Sequence, residues 1–304
     1  MHDVHLVVCM FVCFRLFACL YIRQDSSDSA WQRVGPSAST LFDWAPQFLQ
    51  MLKADTLGLR LVDIIVKSFG AGIMITTQYS GIGGPEMAMH SIQTALKAAY
   101  GINGLVECWS ASDSAPTARK VLMQKACVNP KHVFGDLMFR VPRRLRRQLK
   151  ERHKRTAKII HAKSRNGAVP KDVRVQEGER LMRYLQRIMR NAVQGGGRQA
   201  AQMRESGWCF KCKKNCRYES PDVPRNVMRL MVAGTPCTSW SRMGSRGQWS
   251  STNSIVFIIW AYWVLLQEPD ACIHECTQDF DVEQLRHIFA AKCHLEHINH
   301  LFTC

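Results

Sequence analysis

One cysteine of this 304-residue chain has neighbours suited to nucleophilic chemistry. Cys237 lies in the segment AGTPCTSWS, directly after an apolar run at 230–233 that predicts a strand. A thiol in a polar turn at the carboxyl end of a strand, near a helix start, is where a thiolate is stabilised and useful. Pro236 stiffens the approach to it, and Ser239 and Ser241 add hydroxyl groups. The alternative is a buried, inert thiol, since the chain has twelve other cysteines.

A second pattern, YSGIGGPEM at 79–87, lies between a predicted strand at 72–77 and a predicted helix at 86–100. Glycines let the backbone turn tightly and approach a ligand, and a helix N-terminus offers free N–H groups. Asp113 follows a second predicted strand, where a carboxylate can accept hydrogen bonds from ribose hydroxyls, and Asp136 follows a third. Each aspartate alone suits a turn or a helix cap. Together, three such groups after three successive strands predict a cofactor site.

Glu275 follows a further predicted strand, at 271–274, in the segment IHECTQDF. A carboxylic acid beside the nucleophile's strand can hold or protonate a ring nitrogen. The alternative is an ordinary surface glutamate at a strand end.

The elements that position these residues alternate between strand and helix. Strands at 72–77, 105–112 and 132–134, with helices at 86–100 and 116–126, predict a parallel sheet with crossover helices. One or two helices are predicted over 41–69. A basic segment at 140–224, with a helix at 181–189 ended by the glycines 195–197, interrupts the alternation. It resumes with the strand at 230–233, a helix at 254–267 and the strand at 271–274.

The order of these motifs resembles that of the cytosine-5 DNA methyltransferases: YSGIGG, SDSAPTARKVL, HVFGDL, GTPCTSWS and HEC are similar to motifs I, II, III, IV and VI. The resemblance implies that Cys237 attacks C6 of a flipped cytosine and that Glu275 engages N3 and the exocyclic amine. It also implies that S-adenosyl-L-methionine is the cofactor and DNA the partner. The residues implied to bind the cofactor are Tyr79, Ser80, Gly81, Ile82, Gly83, Gly84, Asp113, Asp136, Leu137 and Pro236.

The chain departs from the family pattern at several points. Thr235 replaces the first proline before the nucleophile, and Cys276 and Thr277 follow Glu275 where the family has Asn and Val. The insertion at 140–224 is longer than the family norm, and no target-recognition region or late motif follows. The resemblance therefore implies an α/β Rossmann-like methyltransferase sheet that is incomplete at its C-terminus. It divides the chain into an apolar segment and linker (1–40), a cofactor half (41–139), the basic insertion (140–224) and a catalytic half (225–304). The alternatives are an RNA (tRNA) cytosine-5 methyltransferase and a catalytically silent nucleic-acid-binding fragment.

Composition supports a polyanionic partner in a reducing compartment. The formal charge is +17 and the sequence pI about 9.6, which favours nucleic acid over a membrane surface. Arginine and lysine dominate 140–165, a block of the kind that contacts phosphates.

The 13 cysteines show no repeating disulfide spacing, which predicts the nucleus or the cytoplasm. The apolar stretch at 5–22 contains Arg15, so a buried helix or a leader is favoured over a membrane anchor. The sequence does not define an oligomeric state.

Cys209, Cys212 and Cys216 form a C-x-x-C-x-x-x-C pattern within the insertion. A tetrahedral zinc site needs four nitrogen or sulfur ligands, and no fourth lies close by in sequence. His153 and His161 are distant candidates for that place. Without a fourth ligand, the sequence predicts no metal site.

Overall fold

A single parallel sheet organises the fold in the computed structural model, which describes residues 4–7, 44–53, 56–124, 129–164, 169–194, 203–241, 246–277, 279–289 and 293–296. Its strands run in the order β4-β3-β2-β7-β8-β1-β9, and every neighbouring pair is parallel. Their bounds are β1 Val4–Val7, β2 Ile73–Gln78, β3 Val106–Ser112, β4 His132–Phe134, β7 Met228–Gly234, β8 Ala271–Glu275 and β9 Cys293–Glu296.

A small antiparallel hairpin stands apart from this sheet and consists of β5 (Ser206–Cys209) and β6 (Lys214–Arg217). The described helices are α1 Trp44–Leu52, α2 Thr56–Ala71, α3 Gly84–Tyr100, α4 Pro116–Met123, α5 Arg143–Ala162, α6 Lys171–Gln194, α7 Asn253–Gln267 and α8 Val282–Phe289. None of the helices in the described part of the chain is long and apolar enough to cross a membrane.

Both faces of the sheet are covered, which is why successive residues of its central strands β2 and β7 are mostly buried. Along β7, Leu230 and Val232 join a core with α1 and α3, whereas Met231 and Ala233 face the opposite core. That second core is built mainly from α7, whose residues 257–264 are all buried. Alternation along one strand thus places the sheet between two helical layers.

The basic insertion contributes to the same core. Leu145 and Leu149 of α5 and Leu181 and Met189 of α6 are buried in one cluster with the apolar helix α7. The start of the insertion is not a phosphate-contacting residue: Arg140 is 1% exposed. Its guanidinium lies over the rings of Tyr218 and Trp263, so the basic surface begins only with α5.

The sequence predicted the α/β class and five strands of the sheet, and the structure confirms both. The structure adds two strands that the sequence did not predict. Residues 4–7, at the start of the apolar segment for which a buried helix or a leader was favoured, form the strand β1, and residues 293–296 form β9. The remainder of the apolar segment and linker, and the glycines at 195–197, lie outside the described residues.

The strand order reverses between β2 and β7. The chain proceeds from β2 through β3 to β4 on one side, and then returns to place β7 and β8 on the other. In open α/β sheets, ligands bind in the crevice at the carboxyl ends of the strands where the order reverses. The segments that follow β2 and β7 therefore occupy the expected position of a ligand site.

Candidate active site

The glycine turn after β2 adopts a conformation that only some residues tolerate. Tyr79, Gly81 and Gly83 have φ angles of 56°, 55° and 93°, all in the left-handed region. Gly83 is the N-cap of α3, and its N–H donates to the Ser80 carbonyl at 2.9 Å. A Cβ at Gly83 would also lie 3.4 Å from Leu122 Cδ2. The left-handed φ angles at positions 81 and 83 favour glycine, although Tyr79 adopts a similar angle, and Ile82 at the tip of the turn is 66% exposed.

Asp113 fastens this turn to the end of β3. Its Oδ2 accepts a hydrogen bond from the Gly81 N–H at 2.9 Å, and its Oδ1 accepts one from the Ala115 N–H at 2.8 Å. Each carboxylate oxygen can accept a second hydrogen bond, and the side chain is only half-buried. The glycine turn and Asp113, both predicted to bind the cofactor, therefore lie in contact.

The buried carboxyl group of Glu86, which the sequence did not predict to be buried, contacts residues at the start of the glycine turn. Thr77 donates a hydrogen bond to Glu86, and the Thr77 and Ser80 hydroxyls lie 2.7 Å apart. Glu86 is 2% exposed, and burial raises its pKa to about 7, while the bond from Thr77 opposes that rise. In sequence, Glu86 looks like an ordinary acid in the first turn of a helix. Its burial depends on how α3 packs against β2.

The loop predicted to carry the nucleophile (residues 235–241 after β7, hereafter the nucleophile loop) is held by hydrogen bonds within itself and to the start of α7. Cys237 begins a short 3₁₀ turn, and its carbonyl accepts hydrogen bonds from the N–H groups of Trp240 and Ser241. The Ser239 hydroxyl donates to that of Ser251 at 2.7 Å and accepts from Asn253 Nδ2 at 2.9 Å, at the start of α7. The thiol of Cys237 is free and half-buried.

The residue before this loop contacts the strand that carries the acid. Thr235 Oγ1 lies 2.7 Å from His274 Nε2. His274 is 3% exposed and stacks on Trp260 with ring centroids 4.6 Å apart. Burial lowers the pKa of His274 to about 3, so the imidazole is neutral. The threonine that replaces the family's proline therefore has a hydrogen-bonding partner inside the core.

The ends of β2, β7 and β8 meet around Gly234. Gly234 pairs with Glu275 across the sheet. A Cβ at Gly234 would lie 3.2 Å from Glu275 Oε2 and 4.0 Å from the Tyr79 carbonyl oxygen. The thiol of Cys276 lies close enough to Glu275 and Cys237 for both to raise its pKa, which burial brings to about 12. The glycine turn, the nucleophile loop and the acid thus lie on one edge of the sheet.

Tyr79, at the start of the glycine turn, also contacts the helix α7 that follows the nucleophile loop. Its hydroxyl donates to the Val256 carbonyl of α7 at 3.1 Å. Burial, followed by the nearby carboxylates of Asp136 and Asp113, raises its pKa far above the usual value for tyrosine. The aromatic position of the predicted motif therefore lies between the two aspartates and the helix that follows the nucleophile loop.

A cavity of about 690 Å³ opens beside Asp136. Asp136 itself accepts the Met138 N–H at 2.8 Å and caps the turn at Leu137–Arg140. Three aromatic side chains of the cavity wall, all substantially exposed, were missed by the sequence analysis: Phe139, Trp208 and Phe210. Two of them belong to the hairpin, whose docking on β4 no local pattern predicts.

The remaining predicted site residues have varied surroundings. Leu137 was predicted to bind the cofactor; it is 4% exposed and packs in the core with Phe134. Pro236 is half-buried and precedes the 3₁₀ turn of Cys237. Gly84 begins α3.

The basic residues of the insertion form an exposed surface on α5 and α6. On α5 the side chains at Lys150, Lys154 and Lys158 recur every four residues and are exposed, so they share one face of the helix. Arg146 of the same helix lies 4.7 Å above the ring of Phe139, which lines the cavity. The basic surface and the cavity are therefore adjacent.

Comparisons with known proteins add no relative to these observations. No model of a known protein family matches this chain, and no curated protein matches it by sequence.

Proposed function

We propose that this chain is a DNA cytosine-5 methyltransferase that uses S-adenosyl-L-methionine and has Cys237 as its nucleophile. The observation that carries the proposal is the meeting of three segments around Gly234. Glu275 Oε2 and the Tyr79 carbonyl lie 3.2 and 4.0 Å from the position of a Cβ at Gly234, three residues before Cys237. This edge lies where the strand order reverses, as expected for the ligand site of such a sheet.

The proposed reaction requires that a thiolate and a carboxylic acid of the protein both reach the same cytosine ring. C5 of cytosine is a poor nucleophile until the Cys237 sulfur bonds to C6, which makes the ring enamine-like. Glu275 donates a proton or hydrogen bond to N3 and accepts from the exocyclic amine, which stabilises the negative charge that this addition places on the ring. Once C5 has bonded to the methyl group, loss of the C5 proton to a base and departure of the Cys237 sulfur from C6 as a thiolate would restore the aromatic ring as 5-methylcytosine. The target base must leave the helical stack to reach both groups.

The residues present fit the proposed cofactor. The cavity of about 690 Å³ beside Asp136 falls within the range of roughly 300–1,000 Å³ typical of small-molecule sites. Its aromatic wall suits an adenine ring. Asp113 does not itself line the cavity but precedes the lining residue Ser114, and its oxygen lone pairs suit ribose hydroxyls. When bound, S-adenosyl-L-methionine supplies an electrophilic methyl group, while the protein contributes binding, orientation and exclusion of water.

The resemblance implies DNA, and the exposed basic surface of α5, adjacent to the cavity, supports a nucleic-acid polymer. Lysine and arginine side chains on a helix neutralise backbone phosphates, an interaction that carries affinity but no sequence preference. The nucleus is the compartment that this substrate implies. The same surface would also suit RNA, so the experiment includes both polymers.

Covalent trapping tests the proposal directly. Duplex DNA containing 5-fluorocytosine, incubated with the protein and S-adenosyl-L-methionine, is expected to give an adduct that survives denaturing electrophoresis, because fluorine at C5 blocks the elimination step. Cys237→Ser should abolish the adduct. Cys276→Ser is the matched control, since that thiol is nearby, and it should retain the adduct.

Three results would contradict the proposal. An adduct that persists in Cys237→Ser would show that another thiol reacts. Adduct formation on RNA but not on DNA would select the RNA methyltransferase. The absence of an adduct on either polymer, with salt-sensitive binding retained, would select the silent nucleic-acid-binding fragment.

A further inference from the structure

Four metal-binding side chains converge at the edge of the sheet, away from the nucleophile loop. The three cysteines of the hairpin, Cys209, Cys212 and Cys216, lie beside His132 of β4, and their ligand atoms are all within 4.8 Å of one another. This is the sole such group of histidine, cysteine and acidic residues in the described ranges. His132 supplies the fourth ligand that the sequence analysis did not find.

We propose that His132, Cys209, Cys212 and Cys216 bind one structural zinc ion. Tetrahedral zinc with Zn–N of about 2.0 Å and Zn–S of about 2.3 Å places N and S ligand atoms about 3.5 Å apart. Cys212 Sγ lies 3.4 Å from His132 Nδ1. Three thiolates and one imidazole form a standard closed set for structural zinc, with no position left for a reactive water.

Backbone groups around the cluster are arranged to stabilise thiolates. Cys209 is fully buried, and its sulfur accepts the N–H groups of Val133 at 3.4 Å and Cys212 at 3.3 Å. N–H donors directed at a sulfur are the outer hydrogen bonds that orient metal ligands and tune their charge. Lys213 has a φ of 54° in the turn between the strands. This left-handed residue helps return the chain, so that the third cysteine meets the first two.

Charge at the cluster also favours a metal–thiolate centre. Binding of Zn²⁺ releases three thiol protons and leaves a net charge of −1 on the ion with its ligands. Lysine side chains follow or precede the ligands at positions 131, 211, 213 and 214, and they offset that charge. Basic residues around three cysteines are therefore part of the site and do not need nucleic acid to explain them.

The hairpin also contacts the sheet through hydrogen bonds and through the core, where Cys209, Cys216 and Tyr218 are buried. The Phe210 N–H donates to the Val133 carbonyl at 2.8 Å, and Lys211 Nζ donates to the Pro130 carbonyl at 2.5 Å. Two strands of four residues are marginal without further support. A zinc ion shared by β4 and both hairpin strands would fix the wall of the cavity that carries Trp208 and Phe210.

Metal analysis of the purified full-length chain tests this proposal without any assay of methyl transfer. After exposure to zinc chloride and removal of excess metal, elemental analysis is expected to give about one zinc per chain, the stoichiometry of a four-ligand site. His132→Ala and Cys212→Ala should each reduce retained zinc at least about tenfold, as expected for loss of a ligand to structural zinc. Both residues are half-buried at the surface, so these substitutions avoid the deep core.

His153→Ala is the matched control, because His153 bonds to the Ser250 carbonyl at 2.9 Å on another part of the surface. It should retain the metal. Cobalt substitution provides a second readout, since tetrahedral thiolate coordination gives a ligand-to-metal charge-transfer band. Zinc content near zero in the wild type, a disulfide among the three cysteines, or equal zinc loss in His153→Ala would each overturn the site. Zinc content is measured without the trapping experiment, so a failure of the zinc site and a failure of the proposed methyl transfer are distinguishable.

Discussion

At the scale of single residues, a side chain predicted to bind the ligand also accepts hydrogen bonds from the backbone of the site. Asp113 accepts hydrogen bonds from the N–H groups of Gly81 and Ala115. It therefore shapes the glycine turn as well as offering lone pairs to a ligand. A predicted ribose contact thus has a second role, as a positioning group for the turn.

We expect Asp113→Ala to weaken S-adenosyl-L-methionine binding by about tenfold or more, the cost of losing one charge-assisted hydrogen bond of about 1.5–3 kcal/mol. DNA affinity should change by less than about twofold, because additive behaviour holds for distant, independent sites. Isothermal titration with cofactor and fluorescence anisotropy with DNA measure the two quantities. Asp222→Ala, at an exposed aspartate, is the control and should alter neither affinity. Equal losses in both measurements would contradict the assignment.

Several strands of the central sheet were predictable, because β2, β7 and β8 contain short apolar runs, at 73–75, 230–233 and 271–273. The helix cap at Gly101, with a φ of 67°, follows the expected chemistry of a left-handed C-cap. The hairpin and the role of His132 were not predictable, since their contacts join distant parts of the chain. Glu86 escaped notice because its burial is a property of packing and its residue type suits an exposed helix start equally well.

Helix α5 carries a prediction of its own. Replacing Lys150, Lys154 and Lys158 by Gln keeps the helix propensity and removes three exposed charges from one face. DNA affinity should fall, and the slope of log K against log salt should become less negative by about 0.9 for each phosphate that the variant no longer neutralises. Binding titrations across a series of salt concentrations measure this slope.

The control is a triple Lys→Gln variant that removes the same number of positive charges from other helices. The substituted lysines are exposed and lie on α2, α3 and α4: Lys67, Lys97 and Lys120. An equal change of slope in this control would show that net charge alone, and not the face of α5, governs binding.

At the scale of the whole molecule, two buried titratable groups give stability opposite dependences on pH. His274, with its pKa lowered to about 3, stabilises the fold above the ordinary histidine range, and this contribution is lost as pH falls. Glu86 has its pKa raised to about 7. Its neutral form is favoured in the fold, so its contribution is present at low pH and is lost as pH rises from about 4.5 through about 7.

Glu86→Gln is therefore expected to be more stable than the wild type at about pH 8, by up to roughly 2–3 kcal/mol, while the two differ little near pH 4.5. Denaturant unfolding at a series of pH values measures the difference. Glu205→Gln, whose side chain is 78% exposed, is the matched control and should show no such trend. A constant offset between Glu86→Gln and wild type at all pH values would contradict the prediction.

The burial of Arg140 has a consequence for how the molecule is assembled. Arg140 follows β4, and Glu219 precedes β7; their charged groups are 3.8 Å apart. Arg140 also donates to the Ser112 hydroxyl, while Glu219 accepts from Thr76 and Trp263. Separating the two would leave a buried charge uncompensated, which costs about 3–5 kcal/mol. The segment between Arg140 and Glu219 is thus held at both of its ends by this buried pair. Removing the segment, or moving it away from the sheet, would break the buried polar contacts that these two residues make with Ser112, Thr76 and Trp263.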